Sequence, residues 1–141
     1  MFRKSPLTSL AIIVTIAVAF FTVFKNENWN RQGAVIAGDA KGYYTFLPAI
    51  FINGDLSFTD LDPYVHENNQ FIWYNETEDG TRYIKGTYGT ALVYTPFFFV
   101  GHGLAGILGE KMDGYSYPYR LVLNFSGLFY LFFGLIFLGK L

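Results

Sequence analysis

Three long runs of hydrophobic residues without a formal charge divide this chain. They cover residues 7–24, 89–109 and 121–138, and none of them contains Asp, Glu, Lys or Arg. Because an α-helix rises 1.5 Å per residue, even the shortest run reaches about 27 Å, close to the thickness of the hydrocarbon core of a bilayer. The pattern predicts an all-α integral membrane protein with three transmembrane helices, two of them within residues 89–141.

The first run follows Arg3 and Lys4. A cleaved signal peptide also begins with basic residues and an apolar stretch, but this run is longer than a usual signal core and no A-x-A-like site follows it. We therefore interpret residues 1–24 as an uncleaved N-terminal transmembrane anchor. Lysine and arginine favour the cytoplasmic end of a span. The sequence thus predicts a multi-pass protein of the cell inner membrane with a cytoplasmic N-terminus.

Residues 25–88 are polar and carry nine acidic against five basic residues. This composition predicts a long extracytoplasmic loop. The apolar stretch near residues 43–52 is too short to span and contains Pro48, so it predicts an interfacial helix with Tyr43 and Tyr44 at headgroup level. Residues 71–74 and 81–84 flank a turn-rich segment, which predicts a small β-hairpin.

The two later runs differ in polar content. Residues 89–109 contain four glycines beyond Val100, which predicts close packing against another helix. His102, lying between two of them, is expected to face the bundle interior and to form a structural pair. Asn124 and Ser126, in the third run, are expected to bond to a neighbouring helix. The connector at residues 110–120 carries Lys111 and Arg120, which predicts a cytoplasmic position for it.

Composition narrows the possible functions. The chain has 141 residues, 52% of them hydrophobic and 21% aromatic, and a net charge of −1. Such a chain has no basic surface for nucleic acid, so binding to nucleic acid is not expected. It has no cysteine and two histidines, which removes disulfides, thiolate ligands and a histidine-based metal cage from consideration.

Asp39 is the residue with the clearest chemical potential, because it directly precedes the interfacial stretch. It could be the N-cap of a helix, accepting bonds from free backbone amides. The other interpretation is a carboxylate at the membrane surface that takes a proton from a hydroxyl nucleophile or binds a divalent cation. The spacing alone leaves both interpretations open.

Three basic residues of the loop could bind a phosphate at the membrane surface: Lys41, Arg82 and Lys85. The alternative is that they are solvated side chains without a ligand. The interfacial stretch itself could anchor the loop to phospholipid or bind a lipid-linked substrate.

Three stretches resemble the N-terminal part of bacterial GT-C membrane glycosyltransferases, especially the RgtA/B/C/D-like proteins: GDAKGYY, YIKGTYGTALVYTPFFF and DGYSYPYR. The resemblance implies a polyprenyl-phosphate-linked sugar as donor, Asp39 as catalytic base or metal-linked carboxylate, and Mg²⁺ or Mn²⁺ as a cofactor. Lys41, Tyr43 and Tyr44 follow as its neighbours. Family members have eight or more spans, so the resemblance implies an N-terminal fragment that is inactive alone.

Two functions of different classes follow. One is the N-terminal module of a glycosyltransferase that uses membrane lipid-linked sugar and an extracytoplasmic acceptor. The other is a non-catalytic three-span assembly or scaffold subunit that contacts partner transmembrane helices. A transporter fragment is a third interpretation, although the three spans lack the ionisable residues of a coupled carrier.

Overall fold

The chain folds mainly as helices, and the computed structural model describes residues 6–58, 74–84 and 86–139. The helices are α1 (Pro6–Asn26), α2 (Gly38–Tyr44), α3 (Phe46–Pro48), α4 (Gly89–Leu108) and α5 (Tyr117–Leu138). Helices α1, α4 and α5 are long and apolar enough to cross a membrane. The predicted helical membrane fold with three such helices is confirmed.

The polar region between α1 and α4 contains short elements. A 3₁₀ turn, Asn28–Asn30, follows α1, and a π-helical segment, Ala49–Asn53, follows α3. Strands β1 (Asn75–Glu76) and β2 (Arg82–Tyr83) pair antiparallel, so a small hairpin forms, but β1 lies within the segment that was predicted as its turn. Most of the first predicted strand, residues 71–73, lies outside the described residues.

Helices α1 and α5 run antiparallel. The ring of Phe24, near the end of α1, lies 5.5 Å from the ring of Phe125, near the start of α5. At the opposite end, a Cβ on Gly139 would lie 3.3 Å from Cγ2 of Thr8. Trp29 continues the contact, since its carbonyl accepts a 2.9 Å bond from Nε of Arg120. Helix α1 therefore runs beside α5 from about Phe125 to its end, and the start of α5 lies beside the 3₁₀ turn.

Helices α4 and α5 form an antiparallel hairpin with close backbone contact. Gly101 is buried, and a Cβ there would lie 2.9 Å from Cα of Tyr119. The hydroxyl of Tyr130 donates a 2.6 Å bond to the carbonyl of Val93. Close packing through a glycine is thus confirmed at Gly101. Because both α1 and α4 are antiparallel to α5, α1 and α4 run in the same direction.

The connector between α4 and α5 and the loop before α4 were predicted on opposite sides of the membrane, and this prediction is wrong. The hydroxyl of Tyr44 in α2 donates a 2.6 Å bond to the carbonyl of Gly114 in the connector. A Cβ on Gly114, whose φ of +84° suits glycine, would lie 2.9 Å from Cβ of Pro48. A loop and a connector in contact cannot lie on opposite faces of a bilayer. One of the two counted bases, Arg120, is held by the protein through its bond to the carbonyl of Trp29, whereas Lys111 is exposed.

The interfacial segment begins earlier than predicted, at Gly38, and changes its winding after Pro48. Proline has no N–H for the next helical bond, and the backbone continues from it as the π-helical segment. Its apolar side chains face protein more than expected, since Leu47 and Ala49 are buried, whereas Ile50 and Phe51 remain exposed.

Candidate functional site

Helix α2 presents Asp39 to the surface. The residue is exposed and lies in the first turn of the helix, after Gly38 with a φ of +53°. The N-cap position belongs to Ala37, which is extended and makes no side-chain capping bond. The N-cap interpretation of Asp39 is therefore wrong. Its carboxylate makes no hydrogen bond or ion pair with another residue of the described segments and can accept a proton or a ligand.

Lys41 is buried rather than solvated. Only 6% of its surface is exposed. Burial penalises the charged ammonium and lowers the pKa of Lys41 from 10.5 to about 8. The solvated alternative for this lysine is therefore wrong, and its protonation state can change near physiological pH.

Asp39 and Lys41 point away from each other across α2. Successive helical residues are about 100° apart around the axis, so Ala40 lies between them. Ala40 and Tyr44 are one turn apart and share the face that lines a cavity of about 720 Å³. The two charged residues therefore flank this face on opposite sides, instead of forming one charge pair.

Tyr44 packs inside the protein, whereas Tyr43 is half-buried against the chain before α4. A Cβ on Gly86 would lie 3.0 Å from Cδ1 of Tyr43, so that ring covers the chain just before α4. Tyr44 is 1% exposed. Burial also raises the pKa of Tyr44 well above its usual value, which keeps its hydroxyl a donor to Gly114. Tyr44 can contribute to a binding site only through its ring, as part of the cavity wall.

The hairpin places Arg82 near α2 but not against Asp39. A Cβ on Gly42 would lie 3.5 Å from Cγ2 of Ile84, so the end of the hairpin touches α2. The guanidinium of Arg82 lies 4.7 Å from the ring centre of Tyr74 and donates a 3.5 Å bond to the carbonyl of Phe58. Arg82 therefore stabilises the hairpin. Lys85 lies outside the described residues.

A metal site around Asp39 is not formed by the described part of the chain. Across residues 6–58, 74–84 and 86–139 no group of three or more His, Cys, Asp or Glu residues lies close enough to hold a metal ion. Asp39 would offer one carboxylate, and a cation bound there would need ligands from a substrate or from elsewhere. The divalent cation stays a prediction, and no chemical step is derived through it.

The cavity lies between the segment 34–36, α2, α4 and α5, and its wall is mostly apolar. One wall residue is unusual: Nδ2 of Asn124 is buried and has no hydrogen-bond partner among the residues that the structure describes. Ser126, next along the wall, donates to the carbonyl of Leu123 in its own helix. The prediction that these two residues bond to a neighbouring helix is therefore wrong. An unpaired buried donor costs about 1–3 kcal/mol, so an acceptor entering the cavity would be favoured there.

Hydrogen bonds of hydroxyl and imidazole groups join the elements near the cavity, and the sequence analysis did not predict most of these bonds. Tyr115 donates a 3.3 Å bond to Oγ1 of Thr45, which itself donates a 2.7 Å bond to the carbonyl of Lys41. Nδ1 of His102 lies 2.5 Å from the hydroxyl of Tyr119. This contact confirms the interior structural pairing of His102. The tyrosines of the connector, in DGYSYPYR, were the available signal, because buried tyrosines need partners.

Comparison with known proteins gives no relative: no family model matches the chain, and neither a curated protein nor a solved structure matches it.

Proposed function

We propose that this chain is the N-terminal module of a membrane glycosyltransferase that moves a sugar from a polyprenyl-phosphate donor to an extracytoplasmic acceptor. The observation that carries the proposal is the position of Asp39, an exposed carboxylate beside the α2 face that lines an apolar cavity, with no partner in the described part of the chain. A lipid-linked substrate needs this combination, because its polar head reacts while its apolar chain must be held. The motifs around Asp39 and before α4 and α5 support the same function by resemblance.

In this proposal Asp39 acts as a general base. The acceptor hydroxyl oxygen forms a bond to the anomeric carbon while the bond from that carbon to the phosphate oxygen breaks. The hydroxyl proton passes to Asp39, and the electron pair leaves with the polyprenyl phosphate. The cavity holds the first isoprene units, and Nδ2 of Asn124 donates to an oxygen of the donor. Lys41, when protonated, offsets the charge of the leaving phosphate from the other side of α2.

Replacing Asp39 tests this role directly. We expect Asp39→Asn to lower sugar transfer by about a hundredfold, the size of effect usual for a general base, and Asp39→Glu to restore part of it. The measurement is transfer of labelled sugar from synthetic polyprenyl-phosphate sugars in membranes that carry the full-length protein.

Glu110→Gln is the matched control, because Glu110 is also an exposed carboxylate but lies in the connector. It should transfer sugar as the wild type does. Unchanged transfer by Asp39→Asn would remove Asp39 from the chemistry. Absence of transfer by the wild type with every donor would contradict the glycosyltransferase function itself.

The lowered pKa of Lys41 predicts a pH limit for donor binding. The ammonium is charged below about pH 8 and neutral above it, whereas an unburied lysine would stay charged to about pH 10. Binding of polyprenyl phosphate should therefore weaken as the pH rises through 8. Equilibrium binding at about pH 7 and about pH 9.5 measures the effect.

Lys41→Arg tests whether the loss of charge on residue 41 causes this pH dependence, because a guanidinium stays charged at both pH values. Binding by that variant should lose its pH dependence between the same two conditions. If the wild type binds polyprenyl phosphate equally well at both pH values, the charge of Lys41 does not contribute to phosphate binding.

The second candidate function, a non-catalytic assembly subunit, has its own supporting observation. The unpaired Nδ2 of Asn124 would be satisfied equally well by an acceptor on a partner helix. Such a subunit would copurify with one partner in a fixed ratio and lose it on Asn124→Leu. Asp39→Asn would leave that association unchanged.

A further inference from the structure

The direction of helix α4 conflicts with its crossing the membrane as the second of three spans. Successive spans joined by loops alternate in direction, so α1 and α4 should be antiparallel. The contacts of both helices with α5 make them parallel instead. If α1, α4 and α5 all crossed, the polar region 27–88 would have to cross the bilayer as well.

The short helices follow α4 along much of its length, which gives a second, independent reason. The Tyr44 ring lies 6.4 Å from that of Tyr94, near the start of α4, and the Phe51 ring lies 4.8 Å from that of Phe99, near its middle. A crossing α4 would carry this polar region into the hydrocarbon core, with Asp39 and Lys41 in it. Charged side chains are costly at that depth.

The register of α4 against α5 points the same way. Gly101 lies opposite Tyr119, which is near the start of α5. Helix α4 has seven residues after Gly101 and α5 has two before Tyr119, so α4 extends past the start of α5 by five residues, about 7 Å at the rise of a helix. Helix α1, by contrast, stops short of the start of α5, because Phe125 lies eight residues after Tyr117 whereas Phe24 lies only two residues before Asn26. Of the three long helices, α4 also has the lowest mean hydropathy.

We propose that α1 and α5 cross the membrane as an antiparallel pair and that α4 does not cross. Helices α2, α3 and α4, with residues 109–116 between α4 and α5, form one surface layer at the membrane face where α1 ends. The partner of this layer is the lipid surface itself. Its exposed apolar side chains come from the π-helical segment and from α4: Ile50, Phe51, Phe99, Val100 and Ile107. The ring of Phe97 in α4 lies 5.3 Å from that of Phe129, an exposed residue of α5, so the lipid that surrounds α5 also reaches this layer.

The chain contains no cysteine, so single cysteines can report the side of the membrane without background. Asn30→Cys marks the loop, Lys111→Cys marks the connector, and a cysteine in a tag before Met1 marks the other end of α1. All are tested with a membrane-impermeant maleimide on sealed vesicles. We expect Asn30→Cys and Lys111→Cys to be labelled from the same side, and the tag cysteine from the opposite side.

Labelling after detergent lysis shows that each cysteine can react, and it sets the full extent for each variant. If Lys111→Cys is labelled with the tag cysteine and not with Asn30→Cys, α4 crosses and the proposal is overturned. This result does not depend on the vesicle orientation, because it compares sites with each other. It also does not depend on the glycosyltransferase proposal, which predicts no labelling pattern.

A lysine scan gives a second measurement that is independent of labelling. Val100 lies near the middle of α4, and Leu131 lies well inside α5. Val100→Lys should insert and accumulate as the wild type does, because its ammonium can reach the headgroups, whereas Leu131→Lys should accumulate several-fold less. An equal loss for both variants would overturn the proposal.

Discussion

Replacing Tyr44 by alanine should lower the free energy of unfolding by about 3–5 kcal/mol, the range for truncating a large buried aromatic side chain. Tyr44 is 1% exposed, and its ring contacts those of Tyr94, Phe98 and Tyr115. It therefore joins α2, α4 and the connector at one point. The measurement is unfolding in mixed detergent micelles, followed by circular dichroism.

Tyr44→Phe is the matched control, because it keeps the ring and removes only the hydroxyl. It leaves the carbonyl of Gly114 without its 2.6 Å donor, which should cost about 1–3 kcal/mol. The difference between the two variants is the contribution of the ring. If Tyr44→Ala is no less stable than Tyr44→Phe, the ring does not hold the layer together.

The positions of the long helices could be predicted from the sequence because span length and hydropathy are local properties. The uncharged runs 7–24 and 121–138 became Pro6–Asn26 and Tyr117–Leu138. The small hairpin was also predicted, because turn residues act within a few positions. The pairing of His102 followed from the cost of exposing an imidazole to lipid.

The relations between elements could not be predicted, because they depend on contacts between residues far apart in the chain. Lys41 was predicted either to bind a phosphate or to be solvated, and nothing near it in sequence shows that α2 would be covered by the chain before α4. The connector was placed by counting Lys111 and Arg120, but Arg120 donates to Trp29. A rule that counts bases cannot distinguish a base held by the protein from one that faces water.

The candidate site, too, could be predicted only in part from the sequence. Asp39 could be selected from the sequence because an acidic residue preceded a short apolar stretch. The cavity beside it could not, because its wall combines residues 34–36, the start of α4 and the middle of α5. Asn124 is an example. Its residue type suggested a hydrogen bond to a neighbouring helix, and only the packing shows that Nδ2 has no such partner among the described residues.

Gly101→Leu should destabilise the α4–α5 pair by about 3 kcal/mol or more, at the upper end of the range for overpacking. The side chain would begin 2.9 Å from Cα of Tyr119, a backbone atom that cannot rotate away. The helices would have to separate, which would also break the contact between His102 and Tyr119. Unfolding in mixed micelles gives the loss of free energy, and a hydrogen-exchange comparison locates it.

Gly103→Leu is the control that the chain itself offers, two residues further along α4. Gly103 is exposed, and a Cβ there would have nothing within 4 Å. Since leucine has a higher helix propensity than glycine by somewhat under 1 kcal/mol, this variant should be as stable as the wild type or slightly more stable. Equal losses at positions 101 and 103 would mean that leucine harms α4 for a general reason and that the close approach of Tyr119 does not matter. A loss confined to Gly101→Leu would show that α4 is held by direct backbone contact with α5, as the surface layer requires.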